Sequence, residues 1–237
     1  GQVALFGLNF TGADGDNQAV GCGVNWANGS ANGGQVAVIG LSVAGDAADL
    51  QPAGIGLDFA IGPIHAAQIA GIGANAALDA ADKQLCGIGL NYADGRAQGA
   101  QYAAIGANLT AASADAQVAA IGLNAAMDQT DGGQFCVLGA DFTWNDVHGA
   151  QGVGLIGVNL AMGTVDGAQV VLPLLGVNYA GSINGVQWGG INITDSLKGF
   201  QFGLVNFCRD LDGIQFGVLN LAIDNVTPVL PILNASW

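Results

Sequence analysis

The chain has 237 residues and a formal net charge of −14, with 18 acidic residues that are all Asp and only four Lys or Arg. That balance excludes a nucleic-acid-binding protein, which needs clustered basic residues, and disfavours binding to anionic lipid headgroups. No run of about 18 apolar residues occurs, so no transmembrane helix is predicted. Charged helix formers are scarce, whereas 40 Gly and many β-branched residues predict an all-β chain.

Glutamine marks an internal repeat that runs along the whole chain with a spacing of 14 to 18 residues. The repeat units begin at Gln2, Gln18, Gln35, Gln51, Gln68, Gln84, Gln101, Gln117, Gln134, Gln151, Gln169, Gln187, Gln201 and Gln215. A second polar residue follows seven residues later in the first nine units, at Asn9, Asn25, Ser42, Asp58, Asn75, Asn91, Asn108, Asn124 and Asp141. We therefore predict a single repeat domain over residues 1–237, in which residues 187–237 form divergent units and a C-terminal cap.

Bulky and small residues alternate with period two inside each unit, which is typical of β-strands. In the unit that begins at Gln84, one side carries Cys86, Ile88, Leu90 and Tyr92, and the other side carries Gly, Asn and Ala. The segments between such runs are rich in Gly, Asn and Asp, which favour turns. The sequence therefore predicts about fourteen short strands joined by turns.

The two polar positions favour a tandem-repeat β-arch solenoid of amyloid-like character. In a solenoid, equivalent residues of successive coils stack at about 4.8 Å, so identical amides donate in one direction and accept from the other. The predicted ladders contain Gln18, Gln35, Gln51, Gln68, Gln84, Gln101, Gln117 and Gln134, with Asn25, Asn75, Asn91, Asn108 and Asn124. The alternative is a 14-stranded up-and-down β-barrel, in which antiparallel neighbours give this identity less physical reason.

Leu and Ala alternate at one position of successive units. Leu57, Leu90 and Leu123 occupy it in one set of units, and Ala74, Ala107 and Ala140 occupy it in the alternate units. Large residues that face small ones allow two sheets to close on a dry core. The alternation therefore predicts a coil of two units, about 33 residues long, in which a Leu sheet faces an Ala sheet.

Two resemblances to known proteins follow from these features. The units QFGLVN and QFGVLN and the ending PVLPILN resemble bacterial surface-repeat proteins with Gly-x-Gln-x-Gly-x-x-Asn units. The whole chain, acidic, rich in Gly, Ala and Asn, and with few cysteines, resembles the tubular sheath proteins of methanogenic archaea of the Methanospirillum type. The second resemblance implies amyloid-like β-arches that assemble into hoops around cells.

Catalysis needs acids, bases or nucleophiles that converge, and the sequence offers no such cluster. His65 and His148 lie in different turns, five units apart, and are predicted to be solvated. Asp58 and Asp141 replace Asn at its repeat position and are expected to take over its hydrogen-bonding role. We therefore predict no enzymatic activity and no small-molecule substrate.

Calcium is the one cofactor that the acidic turns suggest. Asp14, Asp16, Asp128 and Asp131 cluster in turns. Calcium takes about six to eight oxygen ligands, so each turn alone supplies too few and stacked neighbours would have to add more. Solvated turn carboxylates are the alternative, since the calcium-binding nonapeptide repeat is absent.

Cysteines and glycosylation sequons complete the candidate sites. Cys22, Cys86, Cys136 and Cys208 form no CxxC pair, which disfavours zinc and leaves buried thiols or disulfides, within or between subunits, as alternatives. Sequons begin at Asn9, Asn28, Asn108, Asn192, Asn225 and Asn234. Asn28 and Asn225 are the better acceptors, because three of the others hold ladder positions.

These features together predict an extracellular structural protein. The chain enters its first repeat directly at Gly1-Gln2, as a processed exported protein without an N-terminal cap would. We expect it to polymerise with itself by edge-to-edge β stacking, as a sheath or fibrous layer at the cell surface. An outer-membrane β-barrel pore is the alternative, and an ice-binding solenoid is a weaker one because no Thr array is present.

Overall fold

A computed structural model of the chain describes residues 1–172 and 175–237. The described residues form strands and turns without a helix, so none belongs to a helix that could cross a membrane. The strands are β1 (Gln2–Thr11), β2 (Gln18–Ala27), β3 (Ala31–Ala44), β4 (Ala48–Ala60), β5 (Ile64–Ala77), β6 (Ala81–Ala93), β7 (Ala97–Thr110), β8 (Ala114–Ala126), β9 (Thr130–Thr143), β10 (Val147–Val171), β11 (Gly176–Ala222) and β12 (Val229–Ser236). The chain divides into two compact units, Gly1–Ala119 and Ala120–Trp237, which are described in turn.

In the unit Gly1–Ala119, each strand from β1 to β6 pairs in parallel with the strand that follows it. The register matches equivalent positions of successive repeats, so that Gln68 pairs with Gln84 and Asn75 with Asn91. One repeat is therefore one coil, and the fold is the predicted β-solenoid. The barrel alternative is wrong for these strands, because an up-and-down barrel requires antiparallel neighbours.

In this unit, a glycine five residues after each Gln from Gln2 to Gln101 forms the corner of the coil. Gly56 and Gly73 have φ angles of +155° and +144°, which side chains other than hydrogen rarely adopt. A Cβ on Gly73 would also overlap the carbonyl oxygen of Gly56 in the preceding coil. The corner divides the coil into two arms, with the Gln on one arm and the Asn on the other, and both side chains are buried.

The inside of each coil is small and polar, and the bulky residues lie outside. In β6 the side chains of Asn91 and Ala93 are buried, whereas Ile88 is 49% exposed. Cys86 is buried as well, so it lies on the opposite side from Ile88, although the alternation placed them together. The glycine corner that follows Cys86 interrupts the period of two, because it turns the chain between the two arms.

The predicted dry core between a Leu sheet and an Ala sheet is wrong. Leu57, Ala74 and Leu90 are direct neighbours in the parallel ladder, each one coil from the next. Leu57 is 51% exposed, which places this position on the outer surface. Ala, Gln and Asn side chains, together with Ile64, fill the interior of these coils instead.

In the unit Ala120–Trp237, β9, β10 and β11 pair in parallel in sequence order, and β12 pairs antiparallel with β11. The last coils have 14 residues, because two residues are missing between the Gln and the Asn. Gly203 stands at the shortened corner, where a Cβ would lie 2.6 Å from the Nδ2 atom of Asn192. The contraction thus leaves the Gln and Asn positions stacked on those of the longer coils.

Candidate functional site

The most regular chemical feature of the chain is a ladder of buried Gln side chains. The Nε2 atom of each Gln donates to the Oε1 atom of the Gln one coil earlier, over 2.7–3.2 Å from Gln18 to Gln117. The same bonds measure 2.6–2.8 Å from Gln151 to Gln215. Nε2 also donates across its own coil to a main-chain carbonyl, as in Gln84 to Tyr92 at 2.7 Å. The Gln ladder therefore joins neighbouring coils and both arms of each coil.

A second ladder, of Asn side chains, runs in the opposite direction. The Nδ2 atom of Asn75 donates to Oδ1 of Asn91 over 2.8 Å, and Asn91 donates to Asn108 over 2.7 Å, each one coil later. In the second unit, Asn159 donates to Asn178 in the same direction over 2.8 Å. The two ladders confirm the predicted stacking of amides, and their opposite directions are a feature that the sequence did not indicate.

The Asn ladder is interrupted at Ser42, Asp58 and Asp141, all fully buried. Asp141 accepts a hydrogen bond from Nδ2 of Asn124 at 2.7 Å, whereas neither carboxylate oxygen of Asp58 has a hydrogen-bond partner. The expectation that both would take over the role of Asn is therefore met in part by Asp141 and not by Asp58. Desolvation by burial raises the pKa of Asp58 to about 8 and that of Asp141 to about 7.

The turns present the predicted calcium residues, but not as a closed site. Asp14 accepts the backbone N–H of Ser30 at 2.9 Å, and Asp16 lies exposed in the same turn. Asp128 and Asp131 are engaged by side-chain amides at 2.8 and 3.0 Å. Among residues 1–172 and 175–237, no three His, Cys, Asp or Glu side chains come together as a metal-binding group.

The two histidines lie far apart along the chain and are exposed. His65 stands at the start of β5, and the Nδ1 atom of His148 lies 3.5 Å from Oδ1 of Asp131. The buried carboxylates Asp58 and Asp141 are in different compact units. Within each unit the carboxylate is buried inside its coil, whereas the histidine is exposed.

The predicted glycosylation acceptors lie at the surface. Asn28 is exposed in the turn after β2, and Asn225 is half-buried with its Nδ2 atom 3.3 Å from Oδ1 of Asn234. The sequon residues Asn108 and Asn192 are fully buried in the Asn ladder. Of these four residues, Asn28 is the most open to a glycosyltransferase.

All four cysteines are free thiols in the structure, so it supports no disulfide within the chain. Cys86, Cys136 and Cys208 are buried, whereas Cys22 is half-buried. Burial raises the pKa of each of the three buried thiols, that of Cys208 to about 12. A disulfide between subunits, as the sequence suggested, would therefore have to use Cys22 or require a coil to open.

We expect a thiol reagent at pH 8 to label Cys22 first and to leave Cys86, Cys136 and Cys208 unlabelled until the protein unfolds. The buried thiols are both inaccessible and poorly ionised, and the thiolate is the reactive form. Peptide mapping after timed alkylation would measure the order, with a sample in denaturant as the control that labels all four. Fast labelling of Cys208 in the native protein would contradict this prediction.

The outward-facing residues of the unit Gly1–Ala119 are apolar on both arms of the coil. Residues one, three, four, six and eight positions after each Gln from Gln2 to Gln101 include no charged side chain. The fourth position forms a column of aliphatic residues that are 47–51% exposed, namely Ile39, Ile55, Ile72, Ile88 and Ile105. We call these five columns in β1–β7 the outer apolar face. The acidic residues of this unit lie in and beside the turns, apart from the buried Asp58.

A groove of about 410 Å³ crosses the outer apolar face. Trp26, Leu57 and Phe59 form its walls, and Ala74 and Ala76 lie at its low points. The groove arises because large and small residues alternate between neighbouring coils at the same two positions. The Leu and Ala alternation that the sequence indicated therefore shapes the surface, where it produces ridges and hollows about one coil apart.

Comparison of the chain with protein-family models, with curated proteins and with solved structures found no match. The geometry of the solenoid is therefore the basis for the functional proposal.

Proposed function

We propose that this chain is a structural, non-enzymatic protein that assembles with copies of itself into a protective extracellular layer, a sheath or fibrous sheet. The observation that carries the proposal is the outer apolar face, which is uncharged over seven successive strands. Contiguous apolar surface of this extent is rare on soluble monomers and is typical of interaction sites. The layered coils supply the regular surface that an extended assembly needs.

A second copy of the chain is the occupant that this face fits best. Seven strands at about 4.8 Å make the outer apolar face about 30 Å long. The alternating ridges of Leu57 and Leu90 and hollows of Ala74 and Ala107 can interlock with the same pattern on another copy. The net charge of −14 disfavours an anionic membrane as the partner.

The distribution of charge supports a solvent-facing layer. The acidic turns would remain in water when the apolar faces pack together, because the two lie at different parts of each coil. A high density of Asp and few Lys or Arg suit an external wall. Edge-to-edge β stacking between chains, which the sequence suggested, stays a prediction.

The double variant Ile55→Lys/Ile88→Lys should shift the protein from large particles to monomers. Two lysines on one column place uncompensated charge in the middle of the apolar contact, while each residue is about half exposed and can be replaced without disturbing the coil interior. Sedimentation velocity and electron microscopy would measure assembly, and circular dichroism would check the fold. We expect the assembled fraction to fall at least about tenfold.

The control is Leu78→Lys, which makes the same change at a residue that is 46% exposed but lies in a turn. This variant should assemble as the parent does. Equal assembly of the parent and the double variant would contradict the proposal. A monomeric parent that floats with neutral lipid vesicles, and a double variant that does not, would indicate a membrane-binding face instead.

A further inference from the structure

Orphaned oxygens occur in pairs at the two Asp positions of the Asn ladder. Both carboxylate oxygens of Asp58 and the Oδ1 atom of Asn75, one coil later, are buried without a hydrogen-bond partner. The same is true of Oδ2 of Asp141 and Oδ1 of Asn159. Buried polar atoms without partners are rare, so two positions with the same pattern call for one physical cause.

The cause lies in the direction of the ladder. At regular positions, Nδ2 of one Asn donates to Oδ1 of the next, as in Asn75 to Asn91 over 2.8 Å. Asp58 stands in the same register to Asn75, but an oxygen replaces the donating Nδ2 atom. An ionised carboxylate has no hydrogen to donate, so it would face the amide oxygen with repulsion between two acceptors. A protonated carboxylic acid has one O–H donor, which is what the next Asn lacks.

We propose that Asp58 and Asp141 are proton-binding sites of the folded chain, held as neutral carboxylic acids that each donate an O–H to the Asn one coil later. Proton loss opens the ladder at these two positions and weakens the stack. The Asn ladder thereby contains two positions at which a rise in pH breaks the hydrogen bonding between coils. This inference does not rest on the proposed assembly, because it concerns the interior of single coils.

The surroundings of Asp58 contain no charge that could hold an ionised carboxylate. Ser42 precedes it and Asn75 follows it in the ladder, and both are neutral. The other inward residues of these coils are Gln and apolar residues, such as Gln51 and Ala53. Desolvation accordingly dominates its raised pKa. The Ser42 hydroxyl and the Ala53 N–H lie near enough to lower this pKa in part, but neither has the geometry of a hydrogen bond to the carboxylate.

Asp141 is placed in a similar way in the second unit. Asn124 of β8 donates to its Oδ1 atom, while Asn159 of β10 faces the orphaned Oδ2 atom. The thiol of Cys136 on β9 is the titratable group beside it, and the pKa of this thiol is raised by burial and by the charge of Asp141. The thiol is therefore neutral over the range in which Asp141 titrates, and it is within hydrogen-bond distance of the Gly122 and Leu138 carbonyls, so it places no positive charge beside the carboxylate.

The proposal predicts that the protein loses stability as pH rises from about 4 to about 8. Both carboxyls bind a proton in the folded state up to about pH 7 and 8, whereas an unfolded Asp releases it near pH 3.9. Between these values the folded state binds more protons, so each Asp raises the unfolding equilibrium constant up to about tenfold per pH unit. Above about pH 8 these two groups no longer contribute to the pH dependence of stability.

The test compares urea unfolding of the parent, Asp58→Asn, Asp141→Asn and the double variant from pH 4.5 to 9. Each Asn supplies the missing N–H donor and does not titrate. In each single variant, the unfolding equilibrium constant should therefore rise about tenfold less per pH unit than in the parent, and in the double variant both contributions should be absent. The control Asp16→Asn, in an exposed turn, should keep the slope of the parent. An equal slope for parent and double variant would overturn the proposal.

Infrared difference spectra give a second readout that does not depend on unfolding. At pH 6 the parent should show the C=O stretch of a protonated carboxyl, and the double variant should lack it. The band should disappear as the pH rises through about 7 and 8. A parent spectrum at pH 6 with only ionised carboxylates would contradict the assignment, even if the Asn variants failed to fold.

Discussion

The variant Gly73→Ala is expected to lower the free energy of unfolding by at least about 4 kcal/mol or to prevent folding altogether. Gly73 has φ at +144°, and its position stacks directly on Gly56 of the preceding coil. A methyl group there would overlap the Gly56 carbonyl oxygen, which is main chain and cannot move without opening the coil. The backbone conformation adds about 1–3 kcal/mol of strain for any residue with a Cβ. Urea unfolding followed by circular dichroism would measure the effect.

Gly7→Ala is the matched control for this variant. Gly7 occupies the same corner in β1 with φ at +126°, but no atom lies within 4 Å of its Cβ position. Its free energy of unfolding should therefore fall only by the backbone strain, about 1–3 kcal/mol. The difference between the two variants then measures the cost of the overlap. A Gly73→Ala protein as stable as Gly7→Ala would mean that the coils can separate locally at little cost.

The variant Gln68→Leu should lower the free energy of unfolding by about 3–6 kcal/mol. Gln68 donates to Oε1 of Gln51 at 2.9 Å and to the carbonyl of Ala76 at 3.0 Å, and it accepts from Gln84 at 2.8 Å. Leu has a similar size, but each of the three buried partner groups would lose one hydrogen bond. Each loss costs about 1–3 kcal/mol in a buried site, because water cannot replace the bond.

Gln2→Leu serves as the control for the ladder variant. Gln2 is exposed, and its bonds to Phe10 and Gln18 are 3.2 Å long, so water can replace what is lost and the cost should stay below about 1 kcal/mol. If Gln68→Leu were as stable as the parent, apolar packing would compensate for the ladder. The amides would then determine the register of the coils rather than their stability.

The ladders could be predicted from the sequence because they depend on the hydrogen-bonding chemistry of the amide side chains. Gln68, Gln84 and Gln101 recur at the same position of successive repeats, and identical amides gain from stacking only in parallel register. The same argument explains why the position tolerates few substitutes in this chain. Ser42, Asp58 and Asp141 are the exceptions at the Asn position, and two of them are the sites of the predicted protonation.

The orientation of the two faces could not be predicted in the same way. Hydrophobicity places Ile88 and Leu90 inside, and that rule holds when a core has room for large side chains. Here the coil consists of a single repeat with two short arms, and in this repeat Ala93, Cys86 and the amides occupy the interior. The coil size depends on the parallel register of neighbouring repeats, which the pattern within one repeat does not specify.

The glycine corner could not be predicted from the sequence either. Gly87 and Gly89 fit the small side of an alternating strand, so nothing in the alternation distinguishes a strand glycine from one that turns the chain. The difference lies in the positive φ of Gly89 at +143° and its close approach to the next coil. The alternation therefore groups Cys86 with residues that lie on the other side of the coil.

The opposite directions of the two ladders make each coil an interchangeable module. The side of a coil that faces the preceding one presents a Gln donor and an Asn acceptor, and the other side presents a Gln acceptor and an Asn donor. Coils that carry both amides therefore fit before or after one another. The length of the protein can change by duplication or deletion of whole repeats, at about 4.8 Å each, without any redesign of the interior.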